Sequence, residues 1–393
     1  MKYHHNRSSS SKKNVELDFA SDQTADRVLK FHKSLPNYQA TPTQELTALA
    51  SHLGVASIRV KDESKRFDLN AFKVLGASYA IASLLHEWLG LSSDEFSFEG
   101  ISAQQKRYKH LTLVTATDGN HGRAVAWVAQ KFGCKAHVYM PHGTLEARAK
   151  AIQGYGARAE ITDLSYDDTV KLAAQTATEP DSFLVQDTAW DEYTQIPLII
   201  QQGYFSLLSE AFEQLKSDQW PSHVFVQAGV GSLPAALAAR LQVMSKGTDK
   251  MPDFIVVEPT MANCLYQSMA GNNGDSISLD GHLPTIMAGL ACGTPSSIAL
   301  RVLAYCASGF LCCDDEVAKR GMRVMGNPLG EDPPITSGES GAVTLGALYE
   351  LCNNPANAAV REQMGLNAQS QVLLFSTEGD TAPELYRDIV WGN

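Results

Sequence analysis

Short apolar runs that end in glycine-bearing turns and lead into amphipathic stretches recur along this chain. That alternation limits its fold more than any other feature. Residues 110–115 (HLTLVT) read as a buried strand. A glycine turn follows, then a helix over 123–132 with its apolar residues on one face. A strand over 136–140 closes at Pro141, a helix covers 146–154, and a short strand covers 159–161. Strands joined through helices run parallel, because a parallel pair needs a crossover connection. A second series opens with a strand over 223–228, turns at Gly229 and enters a helix at Pro234, whose missing N–H is harmless in a first turn. Strands over 254–257 and 371–375 follow. The pattern predicts an α/β fold with two open, twisted, mostly parallel sheets flanked by helices.

The length, 393 residues, exceeds what one small core serves and points to two domains. The expected division is 1–85 with 190–393 as the larger domain and 86–189 as the smaller. Ligand-type motifs stand at the carboxyl ends of strands in both halves, which suggests a cleft between the domains. Hydrophobic residues, at 44%, suffice for packed cores. A net charge of −11 speaks against nucleic-acid binding, which shows as a basic patch or stripe. No apolar run reaches the roughly 18 residues of a membrane span. Residues 1–13 are polar and lack the apolar centre of a secretory signal, so they read as a mobile arm. The seven cysteines are odd in number, scattered and without paired metal spacing. No metal site is expected, and a reduced cytoplasmic compartment is the simplest account. Whether Cys264 and Cys292 pair is not decidable from sequence, which does not fix their separation.

Four motifs carry chemistry. Lys73 lies between Phe72 and Val74-Leu75, just ahead of the small residues Gly76-Ala77-Ser78. A lysine in apolar surroundings is costly without a partner, and burial would favour the neutral amine that condenses with an aldehyde. Thr117-Asp118-Gly119-Asn120-His121-Gly122 joins a strand to a helix, where backbone amides and the Thr117 hydroxyl can take a carboxylate. Gly229-Val230-Gly231-Ser232 offers N–H groups to a phosphate. It is neither a Walker loop nor a dinucleotide fingerprint, since Pro234 stands where the third glycine belongs. Ser376-Thr377-Glu378-Gly379-Asp380 directly follows a strand. Each motif alone also reads as an ordinary turn, and a lone lysine as a solvated side chain.

In this order and at these strand ends, the four resemble the fold type II pyridoxal phosphate (PLP) enzymes, the group of tryptophan synthase β and the serine and threonine dehydratases. Within that group the chain is similar to the diaminopropionate ammonia-lyases. The likeness runs from about residue 38 to the end. It is densest at 66–80 (RFDLNAFKVLGASYA), 115–128 (TATDGNHGRAVAWV), 185–193 (VQDTAWDEY), 287–295 (MAGLACGTP), 337–345 (SGESGAVTL) and 373–381 (LLFSTEGDT).

The resemblance implies PLP in the cleft between the domains, bound through Lys73 and neighboured by Phe72. Asn120 would meet the ring oxygen, and Gly229, Val230, Gly231 and Ser232 the phosphate. Ser376 or Thr377 would meet the pyridine nitrogen. Glu339, in Ser337-Gly338-Glu339-Ser340, would lie beside the ring, with a helix N-cap as the other reading. Thr117, Gly119 and His121 would border the substrate, and Asp187 would lie near its amino end or be a surface acid. Asp118 discriminates, because the dehydratases carry serine there. A carboxylate in a carboxylate-binding loop suits a substrate with a second ammonium group, although aspartate also caps helices. The implied reaction is α,β-elimination of D- and L-2,3-diaminopropionate to pyruvate and two ammonia, with Lys73 and Asp118 catalytic, in a cytoplasmic homodimer. A serine or threonine dehydratase, or a PLP-binding protein without turnover, are the alternatives.

Overall fold

The computed structural model describes all 393 residues except 7–14, 118, 249, 272–273 and 393. The chain forms two units, Met1–Asp22 with Ala40–Ala71 and Leu207–Asn393, and Gln23–Gln39 with Phe72–Ser206. The divisions fall at 22/23, 39/40, 71/72 and 206/207, whereas the sequence suggests 85/86 and 189/190. The reason is helix packing. Helix Lys73–Leu89 lies against helix Gln195–Gly203 inside the second unit. Their crossing is so close that a Cβ on Gly203 would stand 2.5 Å from the Leu75 carbonyl oxygen.

The strands in chain order are β1 (Lys2–His5), β2 (Thr43–Glu45), β3 (Ser57–Asp62), β4 (Thr112–Ala116), β5 (Lys135–Met140), β6 (Arg158–Ile161), β7 (Ser182–Leu184), β8 (His223–Gln227), β9 (Asp253–Pro259), β10 (Gly309–Cys313) and β11 (Gln371–Ser376). The first unit holds a seven-stranded sheet in the order β1-β10-β9-β8-β11-β3-β2. All its neighbours are parallel except the two edge strands, β1 and β2. Val60, Phe225, Leu311 and Leu374 of this sheet share one core with Leu345 and Leu348 of helix Glu339–Asn353. The second unit holds a parallel four-stranded sheet, β6-β5-β4-β7. Strand ends lie within a residue or two of those read from the sequence. The helix after β4 starts at Asn120, three residues early, because Gly119 serves as its N-cap.

The N-terminal segment differs from the mobile arm expected. Lys2–His5 is a strand, antiparallel to β10 with Tyr3 opposite Leu311. Asn6 Nδ2 then donates to the carbonyls of Ala304 and Ala307 at 3.1 and 2.7 Å. An edge strand is held by backbone pairing, which polar residues such as His4 and His5 support as well as apolar ones. Residues 7–14 of that segment lie outside the described residues. Among the described residues no disulfide joins the cysteines, Cys264 and Cys292 included. Among the described residues no helix is long and apolar enough to cross a membrane.

Candidate active site

In open α/β sheets, ligand sites lie where the strand order reverses, at the carboxyl ends of the two strands flanking that point. The second unit reverses between β4 and β7. The loops that leave those strands are 117–121 and 185–187. Helix Asn120–Phe132 starts in the first of them, and His121, nearly fully buried, has Nε2 at 2.8 Å from the Val185 carbonyl. A carbonyl only accepts, so Nε2 carries the proton, and Nδ1 faces Asp187 Oδ2 at 3.7 Å. Asp187 is buried in the second loop, and its Oδ2 receives a hydrogen bond from Lys73 Nζ at 2.5 Å. Burial alone would lift the Asp187 carboxyl, but His121 and Lys73 beside it hold it down, at about 2.

Lys73 is the first residue of its helix, with Phe72 at the N-cap. Its Nζ also lies 5.7 Å from the centre of the Phe72 ring. The side chain is 23% exposed and ion-paired, not enclosed in apolar surroundings as the sequence suggests. The carboxylate that answers it sits 114 residues further along the chain, out of reach of any local reading. Thr117 is buried, and its Oγ1 accepts the Gly119 N–H at 3.0 Å, leaving its own proton to give. Asn120 opens the helix beside it. Asp118 lies outside the described residues.

The first unit reverses between β8 and β11. After β8, Gly231 takes a left-handed φ of +97° and caps the helix Ser232–Met244, so amides of 229–232 gather at a helix N-terminus. A Cβ on Gly229 would stand 3.0 Å from Cys292 Sγ and 3.2 Å from the Gly289 carbonyl oxygen. Only glycine leaves that cradle open. After β11, Ser376 and Thr377 are both buried but differently engaged. Ser376 Oγ pairs with Ser337 Oγ at 2.8 Å. Thr377 Oγ1 accepts from Gln227 Nε2 at 2.7 Å. Glu339 is buried in the first turn of its helix, whose N-cap is Gly338. The helix-terminal amide of Ser340 is instead taken by Glu378 Oε1 at 3.0 Å. Gln227 and Glu378 are the supporting residues that sequence reasoning passed over. The available signal was their position, at or just beyond the carboxyl ends of β8 and β11.

Taken one unit at a time, these residues fit a phosphate-bearing pyridine aldehyde. The first supplies a glycine cradle at a helix N-terminus and a buried hydroxyl for a ring nitrogen. The second supplies an amine held beside a carboxylate, and the Thr117 hydroxyl just ahead of a helix start.

A family model described as pyridoxal-phosphate dependent enzyme matches residues 35–360. Diaminopropionate ammonia-lyase of Salmonella typhimurium is 46% identical over 380 residues, 95% of this chain and 94% of that protein. The enzyme of the same name from Escherichia coli strain K12 is 45% identical over 372 residues, 94% of this chain and 92% of that one. The crystal structure of the E. coli enzyme in complex with an aminoacrylate-PLP azomethine reaction intermediate matches with a TM-score of 0.90 and 43% identity. That match covers 99% of this chain and 96% of the other. With the fold, the glycine cradle and the Lys73–Asp187 pair in place, the chain belongs to the pyridoxal-phosphate-dependent enzymes and, within them, to the diaminopropionate ammonia-lyase family.

Proposed function

We propose that this chain removes the β-amino group of 2,3-diaminopropionate, acting on both the D- and the L-isomer, and yields pyruvate and two ammonia. The observation that carries the reading is 46% identity, over 95% of this chain, to a diaminopropionate ammonia-lyase. Bound PLP supplies an electron sink for the bonds at the substrate's α-carbon. Lys73 would hold the group through its amine, Gly229 to Ser232 its phosphate, Asn120 its ring oxygen and Thr377 its ring nitrogen, with Phe72 and Glu339 alongside.

Lys73, once free, takes the α-proton of the L-isomer. Asp118, from the chemistry of its side chain, takes that proton from the D-isomer. Electrons from the broken C–H bond become the Cα–Cβ double bond as the Cβ–N bond breaks and ammonia departs. Released 2-aminoacrylate hydrolyses to pyruvate and the second ammonia. Asp187, kept ionised by His121 and Lys73, offers its carboxylate to the substrate's ammonium when Lys73 is otherwise engaged. Thr117, Gly119 and His121 line the carboxylate end. The reading extends to a cytoplasmic homodimer, as the family resemblance implies.

The test is release of ammonia and pyruvate from each isomer by purified protein supplied with PLP, with serine and threonine as competing substrates. Preference for serine or threonine would make this a dehydratase. A yellow protein that releases nothing would make it a binding protein. Lys73→Ala is expected to abolish both the visible absorbance of bound cofactor and turnover of the L-isomer. Asp118→Asn is expected to harm the D-isomer far more than the L-isomer, and equal losses would assign Asp118 to binding.

A further inference from the structure

Gln227 is the last residue of β8, two positions before the glycine cradle, and is 2% exposed. Its Nε2 lies 3.1 Å from the Phe375 carbonyl oxygen and 2.7 Å from Thr377 Oγ1. The carbonyl can only accept, so the group facing it is the amide NH2. Turning the amide over would set oxygen against oxygen. The same NH2 therefore donates to Thr377, whose oxygen accepts and whose own proton is left to be given elsewhere. The neighbouring hydroxyl, Ser376, is occupied with Ser337.

We infer that Gln227 is a positioning residue that locks the Thr377 hydroxyl as a hydrogen-bond donor, and so holds the cofactor's ring nitrogen unprotonated. The inference rests on the PLP reading above. A ring nitrogen that receives an O–H keeps its lone pair and remains a moderate electron sink. That suits prompt loss of a β-substituent over a long-lived carbanion. One side chain on β8 thus couples the strand that carries the phosphate turn to the group that sets the ring's charge. Without it, the Thr377 hydroxyl can rotate, donate to the Phe375 carbonyl and present its lone pair to a protonated ring.

The experiment uses holoenzyme loaded with PLP carrying 15N in the ring, and follows the ring-nitrogen resonance with pH in wild type and in Gln227→Leu. Wild type is expected to keep the unprotonated position throughout its stable range, while the variant's resonance moves with pH. Cofactor dissociation constants of Gln227→Leu, Thr377→Val and the double variant form a cycle. Each single change is expected to weaken binding about five- to tenfold, the worth of one neutral hydrogen bond. The double variant should be no weaker than Thr377→Val alone, because Gln227 acts through Thr377. Losses that multiply, or a wild-type ring that is protonated, or a variant resonance identical to wild type, would overturn the assignment. Should Gln227→Leu not fold, the wild-type resonance and the Thr377→Val spectrum decide it. Absence of any bound resonance in wild type would instead sink the PLP reading itself.

Discussion

Tyr204 carries a buried hydroxyl that the protein leaves unanswered. The residue is 1% exposed, and its Oη has no hydrogen-bond partner among the described residues. Its ring packs 4.9 Å from that of Phe72, and a Cβ on Gly76 would stand 2.7–2.8 Å from it. Burial pushes the phenol well above its ordinary range, against a smaller lowering by Lys73 and with a still smaller push from the Asp187 carboxylate. An orphaned polar atom of this kind costs about 1–3 kcal/mol. Tyr204→Phe is therefore expected to raise the unfolding free energy by about 1 kcal/mol in a urea titration, with the ring packing unchanged. A fall in stability would reveal a partner for the hydroxyl. Thr117 was picked out by its βα turn and Lys73 by the apolar and small residues around it, although an ion pair answers Lys73 in place of that apolar setting. Gln227 was not, because its partner Thr377 lies 150 residues away. Asp187 was legible only as an acid in a familiar-looking loop, since its ionisation depends on Lys73 and His121 arriving from distant elements.

The segment from Arg66 to Ala71 shows how an element can be held in a conformation its residues resist. Phe67, Asp68 and Asn70 have φ of 50°, 59° and 54°, in the left-handed region that costs roughly 1–2 kcal/mol per residue. Both ends are fixed within the first unit. Ala71 bridges Glu378, and the Gly379 N–H donates to the Asn70 carbonyl at 2.9 Å. At the other end the fully buried Arg66 binds Glu63 at 2.7 Å and Glu210 at 2.6 Å, with Lys61 2.6 Å from Glu210. Burial disfavours the Arg66 charge, but Glu63 and Glu210 outweigh it and raise its pKa. Arg66→Ala would leave two buried carboxylates to Lys61 and the Thr41 N–H and hydroxyl, without the guanidinium charge, and is expected to cost about 3–5 kcal/mol by chemical denaturation. A loss below about 1 kcal/mol would mean that Lys61 compensates both. None of this was readable beforehand. Left-handed φ at Phe67 has no sequence signal, and the edge strand β1 hid behind lysine and histidine.

At the scale of the whole molecule, stability should carry the signature of Glu258. The residue is fully buried at the end of β9, accepting the N–H groups of Leu265 and Tyr266 at 2.9 and 2.7 Å. Burial lifts its carboxyl from 4.5 to about 8, against a smaller lowering by the two N–H groups. Below pH 4.5 native and unfolded chains both hold the proton. Between there and pH 8 only the native chain does, so the contribution to stability shrinks as pH rises. Tm is expected to be higher at pH 6 than at pH 8, and Glu258→Gln to reduce that difference. An undiminished difference in the variant would place its source elsewhere. The seven-stranded sheet has a consequence in time. β11, one of its innermost strands, lies between β8 and β3, yet it is made long after both. At about 5–20 residues per second, β3 waits roughly 15–60 s on the ribosome for the neighbour that completes it. Until then β3 and β8 each show the nascent chain's surroundings a bare edge, and Gln227 has no Thr377 to orient. Contacts that join β8 to β11 thus form only after β11 is made, and the Gln227–Thr377 hydrogen bond marks a chain whose central sheet has closed.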